Sequence, residues 1–478
     1  MSAGRISILS SDDMERVHES TLRLLNEPGI CVQSERALKL LEARGAKTDR
    51  KTMRARLPED LVKETIKLMP KTIRLSARNP KQDMIAPKNG LPFMATNGTG
   101  VYVIDLETGE KRTSMGKDLR DLLVLCDAID SLDYVWPLVT AHDGPANAHG
   151  LNDLVIALRS TTKHFQGEAM SGGEAADMVE VGAAVAGGKD ALAKRPLFSV
   201  VQCPICPLEF EKGSVEAVME FAKAGIPVVS MSMALCGLTA PVTIAGATAI
   251  VNAENLASFA ISQMTKPGAP VIYSSESSRI NMMTGEIHYG AMEQVFIAAA
   301  VAQMAKRYGA PTMVGTFGVG LHGDRPGISS DPGELVFETM TNMTLTDFSS
   351  GIGGLDQAKG ASLEQIIIDS DLWELIRSMR RDVAFDKEHF VEDLIASVGP
   401  GGNFLKVPHT AKNMRRELFL PSNEKAKFYE SYRLNRDGKK IVEQARERAK
   451  SILRTHRPEP IGADSERKIE AVLGKHMR

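Results

Sequence analysis

Residues 196–233 read PLFSVVQCPICPLEFEKGSVEAVMEFAKAGIPVVSMSM, and this stretch shows the pattern that repeats along the chain. Two short apolar runs, LFSVVQC and PVVSMSM, flank a segment that has the length and spacing of one helix. Both runs begin at or beside a proline, Pro196 and Pro227, which suits the first residue of a strand. A strand, a helix and a second strand in this order predict a parallel βαβ unit.

The same alternation extends from about residue 116 to residue 383. Seven strand candidates occur, at residues 134–140, 164–170, 197–203, 227–233, 270–275, 311–317 and 346–352. An eighth strand is expected from GVYVID, residues 100–105, or from the region after residue 385. Nearly eight repeats favour a closed (β/α)₈ TIM barrel over an open doubly wound sheet.

The regions on either side of this α/β core are predicted to be helical additions. Residues 1–90 carry helical patterns that stop near Gly29 and Gly45, and they are expected to form an N-terminal cap. Residues 91–385 are assigned to the catalytic barrel, with a β-hairpin predicted in FMATNGTGVYVIDLETGEKRTS near its start. Residues 386–478 are expected to form a helical extension packed on the barrel.

The composition narrows the class of protein. Of the 478 residues, 43% are hydrophobic and 25% are charged, as in ordinary globular proteins. A net charge of -2 argues against nucleic-acid binding. The N-terminus lacks the apolar core of a signal peptide, and no membrane span is expected, so the sequence predicts a cytoplasmic protein. The five cysteines are too few and too scattered for a disulfide framework.

Two local patterns have more than one interpretation. The glycine-rich stretch GTFGVGLHGDRPGISSDPGELVFE, residues 315–338, is typical of a phosphate-binding loop or of the rim of a pocket for a small cation. Cys203 and Cys206 have the C-x-x-C spacing of zinc ligands, but no second pair completes the site. A turn with two unrelated thiols is the favoured interpretation, and no bound metal is expected.

In a barrel of this kind, catalytic groups come from the carboxyl ends of the strands. Glu276 follows the strand candidate 270–275, and His322 lies in the loop after residues 311–317. We expect both to be catalytic. Thr239, at the start of a segment rich in small residues, is expected to face the barrel mouth and bind substrate. The other polar residues at these ends are Thr140, His142, Gln166, Glu168, Gln202, Cys203, Ser230, Ser232, Tyr273, Ser275 and Ser349.

Several long segments together resemble the trimethylamine methyltransferase family. They are GLTAPVTIAGATAIVNAENLA (237–257), YVIDLETGEKR (102–112), SLEQIIIDSDLWELIRSMRR (362–381) and GPGGNFLKVPHTAKNMRRELFLP (399–421), in the family's order. The resemblance implies a TIM-barrel enzyme that passes a methyl group from a methylated amine to the cobalt of a separate corrinoid protein. Trimethylamine-using members carry pyrrolysine in the barrel, whereas every position here is an ordinary residue. The chain is thus similar to the branch that uses quaternary amines such as glycine betaine.

A quaternary ammonium already has a neutral amine as its leaving group, so the enzyme needs mainly to hold the cation and aim one methyl group. Aromatic faces supply roughly 0.5–2 kcal/mol each for this purpose. Phe317, Tyr273 and Trp136 are the candidates for such a cage, because each is near a predicted strand end. Arg325, together with His322, is expected to contact a substrate carboxylate.

The expected partners are therefore a quaternary amine and a corrinoid protein that brings the methyl acceptor, cob(I)alamin. No cofactor is expected to be tightly bound, and a homo-oligomer is expected. Three alternatives stay open: a corrinoid-linked methyltransferase with zinc at Cys203 and Cys206, a phosphate-dependent barrel enzyme, and a non-catalytic protein that binds quaternary amines.

Overall fold

A closed barrel of eight parallel strands forms the centre of the molecule. The computed structural model describes residues 5–88, 90–329, 331–378, 384–418 and 439–476. Each strand pairs with the next along the chain, and the last pairs with the first. The strands are β1 Phe93–Thr96, β2 Tyr134–Val135, β3 His164–Gly167, β4 Phe198–Gln202, β5 Val228–Ser232, β6 Val271–Ser275, β7 Thr312–Thr316 and β8 Phe348–Ile352.

One helix follows each barrel strand and packs outside it. These helices are α1 Gly116–Asp127, α2 His149–Ser160, α3 Gly172–Ala186, α4 Lys212–Ala224, α5 Ile244–Thr265, α6 Met292–Tyr308, α7 Pro332–Thr341 and α8 Leu363–Ser378. A further short helix, Lys189–Lys194, lies between α3 and β4. The predicted (β/α)₈ barrel is confirmed, and all seven strand candidates of the sequence contain a barrel strand.

The eighth strand is not where the sequence predicted it. It is β1, which lies between β8 and β2 and precedes GVYVID. Tyr102–Ile104 instead pairs antiparallel with Lys111–Thr113 and parallel with Gly360–Ala361, in a small sheet that also includes Gly354–Leu355. The hairpin was therefore real but shorter than predicted. Only four residues of β1 are extended before Gly98 and Gly100 interrupt the pattern, so its signal in the sequence was weak.

The first 90 residues combine three helices, Ser11–Asn26, Glu35–Glu42 and Glu59–Leu68, with short strands. Ile30–Val32, Lys47–Asp49 and Arg54–Arg56 form a sheet with Glu209–Phe210, which lies in the loop after β4. A hairpin of Ile73–Leu75 and Met84–Ala86 packs into the apolar cluster of the barrel interior, and the amide of Ser76 donates to the carbonyl of Pro196 just before β4. This hairpin closes the amino-terminal end of the barrel.

The described C-terminal helices are Lys387–Phe390, Glu392–Val398, Pro408–Glu417, Lys439–Thr455 and Ala463–Leu473. Lys439–Thr455 packs on α8, and Ala463–Leu473 packs on α3. Residues 379–383 and 419–438 lie outside the described residues, and so do parts of the C-terminal segments that carry the family resemblance. The domain boundaries at residues 90 and 385 stay predictions.

Helix α5 is long and apolar enough to span a membrane by length and composition. Of its most apolar window, however, 78% is buried inside the molecule. It packs against Ser11–Asn26, α4 and α6, and it is therefore a core helix of the barrel.

Candidate active site

Two glutamates stand at the carboxyl-terminal mouth of the barrel. Glu168 directly follows β3, and its carboxylate accepts a hydrogen bond from the hydroxyl of Thr99 at 3.1 Å. Glu276 directly follows β6, and the hydroxyl of Ser350 on β8 donates to it at 3.0 Å. Both side chains are only partly exposed, and each has few partners for a carboxylate in such an enclosed position.

Both glutamates lie close enough to Cys203 to act on it through their charge. Burial raises the pKa of each carboxyl group, while the hydrogen bonds from Thr99 and Ser350 oppose the shift. Burial also raises the pKa of the Cys203 thiol, and the negative charges of Glu168 and Glu276 raise it further. Cys203 follows β4 and is exposed, although protein surrounds it closely. A side chain that lines a cavity is both accessible to solvent and closely surrounded by protein, as Cys203 is.

Two aromatic side chains complete the walls of this mouth cavity. Trp136 follows β2 and belongs to the cluster that fills the barrel interior. Its indole N–H is buried and has no hydrogen-bond partner among the described residues, although it lies close enough to Glu168 to lower that carboxyl's pKa. Burial raises the pKa of the Tyr289 hydroxyl, and Glu276 and Cys203 contribute through their charge. Tyr289 lies in the loop after β6.

The glycine-rich loop after β7 has a different use from the one that its sequence suggested. The backbone amides of Gly318, Val319 and His322 donate to the carboxylates of Glu338, Asp369 and Glu334. The amide of Gly327 donates to Gln365, and a side chain at Gly320 would collide with the same glutamine. The glycines allow the loop to lie directly on α7 and α8. The phosphate-binding interpretation is wrong, because carboxylates already occupy the amides that would hold the anion.

His322 and Arg325 are separated rather than joined at a substrate carboxylate. One ring nitrogen of His322, Nε2, lies 2.7 Å from the carbonyl oxygen of Tyr289, and its other neighbour is Glu334. Arg325 is exposed, and its guanidinium donates to the carbonyl of Gly109 in the hairpin turn. The structure thus places Arg325 on the outer side of the loop, away from Glu276.

Tyr273 and Phe317 face outward from the barrel strands into the layer of helices. The Tyr273 hydroxyl donates to Asn252 on α5 at 2.6 Å, and its ring packs on Phe259 and Tyr308. The Phe317 ring packs against Trp373 of α8, with 5.5 Å between ring centroids. Of the three aromatic residues predicted for the cage, the structure brings only Trp136 to the cavity. Side chains alternate between the two faces of a strand, and position alone does not reveal which face is the inner one.

Thr239 has a local role in the loop after β5. Its hydroxyl accepts a hydrogen bond from the amide of Leu235 at 2.9 Å, and its carbonyl accepts one from the Cys206 thiol. Thr239 precedes helix α5, which begins at Ile244 with Thr243 as its N-cap. Neither of these hydrogen bonds of Thr239 involves Glu168 or Glu276.

Cys203 and Cys206 do not share a set of metal ligands among the described residues. Cys203 faces the cavity, whereas Cys206 lies beside Thr239 and Glu254. Burial raises the pKa of both thiols. The described residues that could jointly bind a metal are His288, His322 and Asp331.

The mouth cavity is thus formed by Trp136, Glu168, Cys203, Glu276 and Tyr289. Glu168 and Cys203 stood among the polar strand ends in the sequence but received no catalytic or substrate-binding role there. For Glu168, the alternation of His164, Gln166 and Glu168 was the available signal, because alternate residues of a strand lie on the same face. The imidazole of His164 faces Ser199 of the neighbouring strand. Nothing in the sequence marked Tyr289, because it lies in a loop that only the fold brings to the mouth.

A family model described as Trimethylamine methyltransferase (MTTB) matches residues 2–478. A trimethylamine methyltransferase of Desulfitobacterium hafniense (strain DSM 10664 / DCB-2) is 31% identical over 461 residues, which cover 95% of this chain and 90% of the relative. A glycine betaine methyltransferase of Desulfitobacterium hafniense (strain Y51) is 28% identical over 475 residues, which cover 98% of this chain and 97% of the relative.

Among solved structures, the crystal structure of the Methanosarcina barkeri monomethylamine methyltransferase matches with a TM-score of 0.53 and 11% identity. The match covers 95% of this chain and 90% of that one, and it supports the barrel fold. The full-length family match and the relatives of similar length agree on one class of enzyme. The chain is a methyltransferase and belongs to the trimethylamine methyltransferase family.

Proposed function

We propose that this chain transfers a methyl group from a quaternary amine, such as glycine betaine, to the Co(I) of a separate corrinoid protein. The observation that carries the proposal is the pair of cavity carboxylates, Glu168 and Glu276, beside Trp136. A fully alkylated ammonium has no N–H to donate, so negative charge and aromatic faces are the means of recognising it. The walls of the mouth cavity offer both.

The charge of the substrate compensates the burial of the two glutamates. Without a cation, burial disfavours their ionised forms and raises the pKa of each group. A permanent positive charge between them lowers both pKa values and favours the carboxylates. After methyl transfer, the tertiary amine no longer has a fixed charge, so these residues hold the product less strongly than the substrate.

The corrinoid acts as the methyl acceptor: its Co(I) is the nucleophile, the C–N bond breaks, and the electron pair stays on the amine nitrogen. Because the leaving group is neutral, no residue has to donate a proton to it. Glu168 and Glu276 bind and orient the cation, and Trp136 and Tyr289 enclose it. The absence of pyrrolysine from the sequence supports a substrate that is already cationic.

The outer rim of the mouth supports a docking protein as the acceptor. Exposed apolar side chains occur in the loops after β3, β4, β5 and β6, at the same end of the barrel as the cavity: Met170, Ile205, Leu238, Val242, Met282 and Met283. Met283 is 93% exposed and Met170 is 70% exposed. Apolar side chains around a cavity mark a protein interaction site, and a corrinoid domain has to approach from this side.

We further propose that the chain acts in the cytoplasm as a homo-oligomer. The described segment 384–418 has no buried residue and exposes Phe385, Phe390, Ile395 and Leu405. A second copy that covers this segment would remove the apolar side chains from water. Light scattering on the purified full-length chain tests the assembly: the proposal expects a mass of at least twice the 51.9 kDa of one chain, and a mass of 51.9 kDa contradicts it.

The test of the function supplies free cob(I)alamin and one amine at a time, and follows the loss of the cob(I)alamin absorbance. Glycine betaine, proline betaine and carnitine are the candidate substrates, with trimethylamine and dimethylglycine as the tertiary-amine controls. The proposal expects turnover of at least one quaternary amine, with one methyl group removed and the tertiary product accumulating. Efficient turnover of trimethylamine, or removal of two methyl groups in succession, contradicts it.

The same assay separates the two remaining alternatives. A non-catalytic binding protein would bind a quaternary amine in calorimetry and leave the cob(I)alamin absorbance unchanged. An enzyme that uses zinc at Cys203 and Cys206 would lose activity after chelation. It would also lose activity in both single variants, Cys203→Ser and Cys206→Ser. The proposal expects Cys206→Ser to retain activity, because Cys206 lies outside the cavity.

A further inference from the structure

Two histidines and an aspartate from separate loops meet beside the mouth of the barrel. His288 ends a short strand in the loop after β6, His322 lies in the loop after β7, and Asp331 caps helix α7. One ligand atom from each residue lies within 4.8 Å of the others. The two imidazole rings meet edge to face, with 4.9 Å between their centroids.

The hydrogen bonds of this cluster leave one ring nitrogen of His322 and one carboxylate oxygen of Asp331 free to bind a ligand. His322 Nε2 lies 2.7 Å from the Tyr289 carbonyl, which can only accept, so Nε2 carries the proton and Nδ1 keeps its lone pair. Asp331 Oδ1 accepts from the amide of Gly333, which leaves Oδ2 for the cluster. A histidine that donates its other N–H to a carbonyl is the usual arrangement of a metal ligand.

Glu334 lies next to this cluster without belonging to its set of ligand atoms. Glu334 is 1% exposed, and its Oε1 lies 3.8 Å from His322 Nε2. Its second oxygen, Oε2, is buried without a hydrogen-bond partner among the described residues. The contact between His288 Nε2 and Asp331 Oδ2, at 4.0 Å, is also too long for a hydrogen bond. The His288 imidazole and the Asp331 carboxylate are therefore held close together without a hydrogen bond between them.

We propose that His288, His322 and Asp331 bind a borderline divalent transition-metal ion such as Zn²⁺, with water as the fourth ligand. Imidazole and carboxylate ligands at about 2.0–2.2 Å suit this class of ion. To reach these bond lengths, the ligand atoms have to approach each other by about 1 Å. No spacing motif marks this cluster, which is why the sequence alone predicts no metal.

The ion would act as a structural tie rather than on the substrate. It would join the loop after β6 to the loop after β7, at the carbonyl of Tyr289 that already holds His322. Because the Tyr289 ring borders the mouth cavity, metal binding would fix one wall of that cavity. The inference does not depend on the identity of the methyl donor.

The test is a Co²⁺ titration of the full-length chain after treatment with a chelator, followed by visible absorbance. The proposal expects saturable binding of a single ion per chain, ligand-field bands of a four- or five-coordinate site, and no thiolate charge-transfer band. Zn²⁺ should displace Co²⁺, whereas Mg²⁺ and Ca²⁺ should not. His288→Ala and His322→Ala should each weaken binding by about 100-fold or more, since even outer partners of a metal site account for about 10–100-fold.

His142→Ala is the matched control, because His142 lies at the same end of the barrel and outside the cluster. Asp331→Asn preserves the helix cap while removing the charged ligand, so it decides the matter if a histidine variant fails to fold. Affinity for Co²⁺ that is unchanged in the folded variants overturns the proposal. So does a charge-transfer band that disappears in Cys203→Ser, which would place the ion on the thiol.

Discussion

Two groups of buried carboxylates lie a short distance apart in this barrel, and they differ in what they bind. Glu338 and Asp369, under the glycine-rich loop, accept hydrogen bonds from backbone amides of that loop. Asp369 also accepts from the amide of Gly353 and from Gln365. Glu168 and Glu276, in the mouth cavity, each have one hydroxyl donor. Asp369 is satisfied by the protein itself, whereas Glu168 and Glu276 are not. Glu338 is intermediate, because its Oε1 is buried without a hydrogen-bond partner among the described residues.

The difference shows how a structural acid can be distinguished from a functional one. Burial raises the pKa of Asp369 to about 7 and also raises the pKa of Glu276, so a raised pKa alone does not separate the two groups. The partners separate them, because a buried carboxylate without sufficient donors is stable only if something else supplies positive charge. Four substitutions break or sharpen this comparison.

The largest effect is expected for the structural group. Asp369→Ala removes the acceptor for Val319, Gly353 and Gln365, and the free energy of unfolding should fall by about 4 kcal/mol. Urea denaturation of the full-length chain measures the loss. Asp369→Asn, which keeps the size and one acceptor, should lose less. A loss below about 1 kcal/mol in the alanine variant would show that the loop does not depend on this carboxylate.

In the mouth cavity, Glu276→Gln should leave the fold intact and lower kcat/KM for the quaternary amine by about 100-fold, because a buried charge contact is lost. Steady-state kinetics with the substrate found in the panel measure this. Glu254→Gln is the matched control: Glu254 is a buried glutamate on α5 that accepts from Leu208 and Ser232. It should lose stability and keep its KM. Equal kinetic losses in both variants would remove the distinction between the groups.

Asp153 offers an intermediate case, a buried carboxyl with a single long contact to the amide of Ala141 at 3.5 Å. Burial raises its pKa to about 8 from an ordinary value of 3.8. Between these values the native state keeps a proton that the unfolded state has lost, so the free energy of unfolding falls as the pH rises, and no further loss occurs above pH 8.

Asp153→Asn should therefore be as stable as the parent near pH 4 and more stable above pH 8 by several kcal/mol, since each pKa unit corresponds to about 1.4 kcal/mol. Denaturation at several pH values measures the difference. Asp190→Asn, at an exposed position, should leave the pH dependence unchanged. Parallel stability profiles for Asp153→Asn and its parent would mean that the carboxyl is ionised inside the fold.

The smallest effect concerns the aromatic wall of the cavity. Trp136→Leu should weaken binding of the quaternary amine by about 1 kcal/mol, or roughly 5-fold, through loss of one cation–π face. Calorimetry with tetramethylammonium as the probe tests the wall without the corrinoid. Phe317→Leu is the control, since its ring contacts Trp373 instead of the cavity. It should lower stability and leave the affinity unchanged, and the reverse result would exchange the two roles.

The sequence was sufficient for the barrel because alternating apolar runs and helices have few other solutions. It also placed Glu276 and Cys203 at strand ends, where the cavity is found. It was not sufficient to predict that the rings of Tyr273 and Phe317 face the helices. It was also not sufficient to predict β1, because that strand is only four residues long. Tyr289 and the ligands of the proposed metal site are brought together by loops, and no spacing in the sequence predicts these contacts.

The hairpin of Ile73–Leu75 and Met84–Ala86 closes the amino-terminal end of the barrel, so the described residues leave the carboxyl-terminal mouth as the open end. Under the proposed function, the amine and the cobalt use the same opening. We expect the amine to bind first and the corrinoid protein second, with the demethylated product retained until the partner undocks. An excess of corrinoid protein should therefore slow turnover, because it would cover the barrel mouth before the amine binds.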